Sequence, residues 1–172
     1  YLSEALAMTE RAELVACADP KTEASALAVQ HCGYRQAYDD YWKMLEQEDL
    51  DAVIVATVHD QLCPAALAAV ESGKHVFVEK PMALNYAAAK NMAAMAAAAG
   101  IKLTVAHYRR QWPLFLKLKS LLAQKVIGEI RLVRLQFTRQ TPAAAELTDT
   151  KNAWRVNPAI SGGGLFHDLA PH

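Results

Sequence analysis

No G-x-G-x-x-G run occurs anywhere in the chain, and its seven glycines stand alone except for one trio, Gly162–Gly164. Cysteine is scarce as well: three residues (Cys17, Cys32 and Cys63), widely spaced and without a C-x-x-C pair. That number and spacing exclude a disulfide framework and a cysteine zinc site, and read as reduced structural thiols in a reducing compartment. No metal site is expected. No charge of one sign prevails: 18 basic and 18 acidic side chains cancel over the 172 residues. A duplex-binding protein needs a basic face to neutralise phosphates, so nucleic acid is not an expected partner. No apolar run approaches the roughly 20 residues of a membrane span, since the alanine-rich stretch after Asn85 carries Lys90 and Asn91. No secretory signal is visible. The cytoplasm is the expected compartment, with an export signal upstream of Tyr1 left open.

What the chain does have is hydrophobic residues (53%) and a modest charged fraction (21%), which is globular composition. Its apolar runs alternate in length and period. Short runs at Glu13–Asp19, Ala52–Ala56, His75–Glu79 and Ile101–Ala106 read as strands. Between them lie helical stretches at 22–30, Tyr38–Gln47, Pro64–Ser72 and from an Asn85 cap to Gly100. Residues 2–10 read as the end of a further helix. Strand and helix in this alternation predict an α/β fold with a Rossmann-type doubly wound parallel sheet over residues 1–106. The character changes after Ala106. An amphipathic Trp112–Gln124 and an alternating Glu129–Gln140, with Arg131, Arg134 and Arg139 interleaved, predict the opening of an α+β domain. Its sheet is expected to be open and mainly antiparallel, over residues 107–172. The arginines suit either an anion site or a solvated strand face, and the solvated face is the expectation.

In a dinucleotide fold, the glycine fingerprint precedes a ribose-binding acid by about 20 residues. Asp19 ends the first visible strand, so the glycines and their strand are expected upstream of Tyr1. The chain is expected to be truncated at both ends. Asp19 itself is a ribose candidate, or merely the Asp of an Asp-Pro turn. A carboxylate there favours NAD, whereas Lys21 would accept the 2′-phosphate of NADP; NAD is the preferred expectation.

Ligands of open α/β sheets sit outside the carboxyl ends of the strands. Two ends stand out: Thr57-Val58-His59, and Glu79-Lys80-Pro81, although Glu-Lys-Pro is also a common surface tripeptide. The third element is WRVNPAISGGGLFHDLAPH (154–172). Three glycines permit close backbone approach. Asp168 and His172, at i and i+4, would share one helix face, where a carboxylate can orient an imidazole. A helix-start Asp with a surface His is the plainer alternative.

Taken together and in order, VFVEKPMALN (76–85), Ala56-Thr57, YRRQWP (108–113), GEIRLVRLQF (128–137) and W-R…P…GGG…H-D…H resemble the Gfo/Idh/MocA oxidoreductase family, the glucose–fructose oxidoreductase and inositol dehydrogenase group. The resemblance implies a nicotinamide-dependent oxidoreductase, using NAD or NADP, that acts on a carbinol of a sugar, cyclitol or related polyol. It implies Lys80 as the catalytic lysine and Asp168 with His172 as the acid–base pair. It further implies cofactor contacts at Ala56, Thr57, Glu79 and Pro81; His59, Lys80, Arg110 and Asp19 are expected to bind the cofactor beside them. Trp154 and Arg155 are expected to edge the nicotinamide or substrate pocket; a core Trp with a surface Arg is the alternative. A homodimer or homotetramer through the C-terminal sheet is expected. Two other readings stand beside this one: a glycosidase that retains its NAD, and a non-catalytic dinucleotide-sensing relative. The chain departs from the family pattern at Val58-His59 (usually Pro-Asn), at Leu62 (often His) and at Tyr108 (often Asn). All are expected to line the cofactor and substrate mouth.

Overall fold

The computed structural model of the chain describes residues 2–9, 11–136, 138, 140, 148 and 153–171. It opens with α1 (Leu2–Ala7), β1 (Ala16–Ala18), α2 (Thr22–Cys32), β2 (Gln36–Tyr38) and α3 (Tyr41–Gln47). There follow β3 (Ala52–Val55), α4 (His59–Glu71), β4 (His75–Val78), α5 (Tyr86–Ala98) and β5 (Leu103–Val105). Each strand pair is parallel: β1 lies on β2 with Cys17 opposite Ala37, and β3–β4–β5 form a second ladder with Phe77 between Ile54 and Thr104. Parallel neighbours need crossover connections, and α2, α4 and α5 supply them. This is the expected Rossmann-like arrangement.

The core lies between the second ladder and its crossover helices. Val55, Val76 and Val78 from the strands meet Leu62, Ala66, Ala69 and Val70 of α4 and Met92 and Ala96 of α5. A side chain such as Val78, fully buried, contributes roughly 1.5–3 kcal/mol. Met92 and Ala96 are four apart, so one stripe of an otherwise alanine-rich α5 is buried, and the small residues let it lie close to α4. Asn85 caps α5 as expected, its Oδ1 accepting the Ala88 N–H at 2.9 Å. Cys17, Cys32 and Cys63 are unpaired thiols, and burial pushes Cys17 and Cys63 up from the ordinary thiol value.

Three expectations need correction. The helix α4 starts at His59, not Pro64. Val58 at its N-cap makes no side-chain capping bond, so the usual start signal is missing and Pro64 sits inside the helix. Tyr38, read as the start of a helix, is instead the last residue of β2, and Asp39 and Asp40 follow it as a turn; Asp40, accepting the Trp42 N–H at 2.8 Å, begins α3 only afterwards. The third concerns the alternating segment after Gly128. It follows a 3₁₀ turn (Tyr108–Gln111) and α6 (Pro113–Ala123), but its described residues 129–136 form no strand. An alternating pattern becomes a strand only where a neighbouring ladder accepts its backbone, and among the described residues none does. Leu132, Val133 and Leu135 are 79%, 78% and 92% exposed, and Arg131 and Arg134 face solvent as expected. Arg139 lies outside the described residues.

The last described stretch is a 3₁₀ turn (Ala153–Val156), α7 (Pro158–Ser161) and α8 (Gly164–Leu169). α7 packs on α4.

Candidate active site

Lys80 follows β4 at the carboxyl edge of the ladder, and the Lys80–Pro81 peptide is cis. Its ammonium group donates to Asp168 Oδ1 at 2.8 Å and to the Asp168 backbone carbonyl at 2.9 Å. Both side chains are nearly buried, at 10% and 11% exposure. Glu79 braces the turn from the other side, accepting the Lys80 backbone N–H on Oε2 at 3.2 Å. Residues 88 apart in sequence are thus joined at the mouth of the parallel sheet.

The glycine trio explains how α8 comes so close. Gly162 has φ +81°, a conformation that L side chains rarely adopt, and a Cβ there would stand 2.9 Å from Leu84 Cδ2. Leu84 lies four residues past Lys80, so the missing side chain lets the Gly162 turn press against the loop that carries the lysine. Ser161, fully buried, locks the turn: its Oγ donates to the Asn157 carbonyl and accepts the Gly164 N–H, both at 2.8 Å. Asn157 caps α7, accepting the Ala159 N–H at 3.1 Å.

Asp168 has company on both oxygens. Oδ1 also faces His59 Nε2 at 3.4 Å, and Oδ2 lies 3.7 Å from an Arg155 nitrogen. Burial pushes this carboxyl up. The hydrogen bond and charge of Lys80, with the charges of Arg155 and His59, more than reverse that and hold it below the ordinary carboxylate range. Asp168 is therefore an anion at neutral pH. The Arg155 guanidinium lies over the Trp154 ring at 4.6 Å, and Trp154 meets the His59 ring edge-on at 4.7 Å.

Of the residues expected at the site, Lys80, Asp168, Trp154, Arg155 and His59 come together. Ala56 and Thr57 are exposed just past β3, and Pro81 is buried. Asp19 follows β1 of the other ladder, and its Oδ1 accepts the Lys21 N–H at 2.8 Å across the Asp-Pro turn. Arg110 lines a groove with His107, Tyr108, Arg109 and Pro171, beyond the end of β5. His172 lies outside the described residues. Leu62 corrects an expectation: it is fully buried in the core and does not line the mouth. Sequence reasoning missed Ser161 and Asn157, whose role appears only once α7 is in place. Among the described residues, no cluster of three or more His, Cys, Asp or Glu could hold a metal ion.

These residues suit a dinucleotide. Exposed Thr57, the Glu79–Pro81 turn and His107 all follow carboxyl ends of parallel strands in one ladder, where such ligands bind. Arg109 Nε is buried in the groove wall without a hydrogen-bond partner. Comparison with known proteins decides the class. The family described as "Oxidoreductase family, NAD-binding Rossmann fold" matches residues 1–107, and the GFO/IDH/MocA C-terminal domain matches residues 115–172. The chain belongs to the GFO/IDH/MocA oxidoreductase family. Within that family it is 40% identical over 129 residues to Oxidoreductase P35 of Formosa agariphila, covering 75% of this chain and 40% of that protein. It is 32% identical over 163 residues to trans-1,2-dihydrobenzene-1,2-diol dehydrogenase of Oryctolagus cuniculus, covering 95% of this chain and 47% of that one. Scyllo-inositol dehydrogenase from Lactobacillus casei, solved with NAD(H) and scyllo-inositol, superposes with a TM-score of 0.70 at 25% identity, over 74% of this chain and 38% of that chain. The chain thus spans less than half the length of these GFO/IDH/MocA relatives. Among the described residues, no helix is long and apolar enough to cross a membrane.

Proposed function

We propose that the full-length protein is an NAD(P)-dependent dehydrogenase that oxidises or forms a carbinol of a sugar, cyclitol or related polyol. The observation that carries this reading is the buried Lys80–Asp168 pair at the carboxyl edge of the parallel ladder. A bound nicotinamide supplies the hydride acceptor or donor. An ammonium group has three N–H donors, and Asp168 takes two of those of Lys80. The third is left for an oxygen of a bound molecule, where it would stabilise developing alkoxide charge. Asp168 keeps that ammonium aimed. His172 takes the hydroxyl proton, a step worth on the order of 10²–10⁴-fold. Ala56, Thr57, Glu79, Pro81 and Arg110 line the cofactor side, Trp154 and Arg155 border the nicotinamide or substrate, and Asp19 is the ribose contact that favours NAD. Relatives that act on a dihydrodiol and on inositol support the polyol class.

In this reading residues 1–106 are the cofactor domain and 107–172 open the substrate domain, a split supported by the two family matches. The protein assembles as a homodimer or homotetramer through the C-terminal sheet and works in the cytoplasm. Nicotinamide fluorescence titration of the full-length protein with NADH and NADPH is the first test, and saturation by NADH at the lower concentration is expected. Lys80→Ala should abolish polyol turnover while changing NADH affinity by no more than about tenfold, because its role is in the transition state. Binding of neither nucleotide, or unchanged turnover in the variant, overturns the proposal.

A further inference from the structure

We infer that His59 is a positioning residue that fixes the Asp168 carboxylate, and through it Lys80, by spanning from α4 to both α7 and α8. This rests on the dehydrogenase reading only for what the positioning is for; the contacts themselves are independent of it. Its place past a strand end predicted a cofactor contact for His59, but the ring is 3% exposed and turned toward the C-terminal motif. Nδ1 lies 3.0 Å from the Ser161 carbonyl oxygen. A carbonyl only accepts, so Nδ1 carries the hydrogen of this bond. With a hydrogen on Nε2 as well, the ring is an imidazolium whose Nε2 faces Asp168 Oδ1 at 3.4 Å, and it is in this form that it holds the carboxylate. The ring edge rests on Trp154, which keeps the imidazole from turning away.

The groups that face His59 come from every element packed around it. Asp168 and the His167 ring, 6.2 Å away between centroids, belong to α8; Lys80 follows β4; Arg155 shares the 3₁₀ turn with Trp154; Asp60 is its neighbour on α4. Asp168 Oδ1 is therefore shared by Lys80 and His59, one from the end of β4 and one from the end of β3. Lys80 holds one oxygen of the carboxylate and Arg155 approaches the other at 3.7 Å; the contact from a ring anchored at Ser161 adds a third direction of restraint on rotation about the Cβ–Cγ bond. The arrangement also ties the glycine turn to α4, because Ser161 both closes the turn and accepts from the ring.

The test uses the full-length protein and two readouts. In the first, the aspartate carboxyl carbons are labelled with ¹³C and Asp168 is titrated by NMR, which needs no turnover. His59→Leu is expected to move the Asp168 titration upward in pH, and His59→Gln, which keeps a donor but no ring, to move it less. In the second, His59→Leu is expected to lower kcat by up to about 10²-fold, the scale of a misplaced catalytic group, with NADH affinity held within about threefold and partial rescue by His59→Gln. If the leucine variant does not fold, the glutamine variant alone decides, by the same upward shift. An unmoved Asp168 titration overturns the inference, as does loss of NADH affinity with kcat preserved, which would return His59 to the cofactor. A shifted titration in a protein that turns over no polyol upholds the positioning and overturns the dehydrogenase reading instead.

Discussion

At Gly162 a single missing Cβ sets the distance between two motifs. Its φ of +81° and the 2.9 Å that would separate a Cβ from Leu84 Cδ2 act together, one through the backbone and one through packing. Gly162→Ala is expected to destabilise the protein by about 1–3 kcal/mol, read as a lower midpoint in thermal or urea unfolding. The atoms that a Cβ would meet are all in the Leu84 and His167 side chains, which can move, so most of this cost is expected from the backbone at φ +81°. Gly164 also has a positive φ, but a Cβ there would meet open space, so the alanine variant at that position carries only the backbone term. The run of three glycines was legible as a place of close approach. Which of the three makes that approach, and to what, was not, because Leu84 stands 78 residues earlier in the chain.

Local signals and observed elements agree where a side chain caps its own helix. Asn85 did so in the sequence and does so in the fold. Asn85→Ala is expected to cost about 1 kcal/mol, seen as a lower melting temperature with cofactor affinity unchanged, since α5 leads away from the strand ends. Where no capping side chain exists, as at Val58, the start of α4 was misplaced by five residues. That displacement matters for function: it moved His59 from a loop at the cofactor mouth to the first turn of a helix, facing Asp168. The segment after Gly128 shows the opposite case. Its alternation is real, and Val133 and Leu135 are as apolar as any core strand, but a strand is a relation between two chains of backbone.

Over the whole molecule, the Asp168 cluster is the joint between the C-terminal motif and the parallel ladder. Lys80 and His59 come from the ladder side, Asp168 and Arg155 from the other. Because the folded carboxyl is held below its ordinary range, it binds a proton less readily than the unfolded one. Its stabilising contribution is thus fully present above the ordinary carboxylate value and is lost as pH falls through the folded value. Urea unfolding of the wild type and of Asp168→Asn, followed from pH 7 downward, should show a stability gap that is widest near neutrality and closes in acid. A gap that is independent of pH would mean that the carboxylate charge does not hold the joint. Comparing the two proteins cancels the other carboxylates, exposed Asp39 among them, which Lys43 also holds low.

Composition and periodicity were enough to determine the parallel α/β class, the absence of a glycine fingerprint within these residues, and the kinds of side chain at the strand ends. Those properties depend on spacing along one strand or helix, and spacing is written in the chain. The family resemblance added Lys80 as the catalytic lysine and Asp168 as the partner of His172, both as expectations. Only the tertiary structure decided the rest: that Lys80 meets Asp168, that Asp168 is shared with Arg155 and His59, and that Leu62 belongs to the core. Each of these depends on residues far apart in sequence. Packing makes the choice, because a buried charge or donor must find a partner and the fold determines which one is within reach.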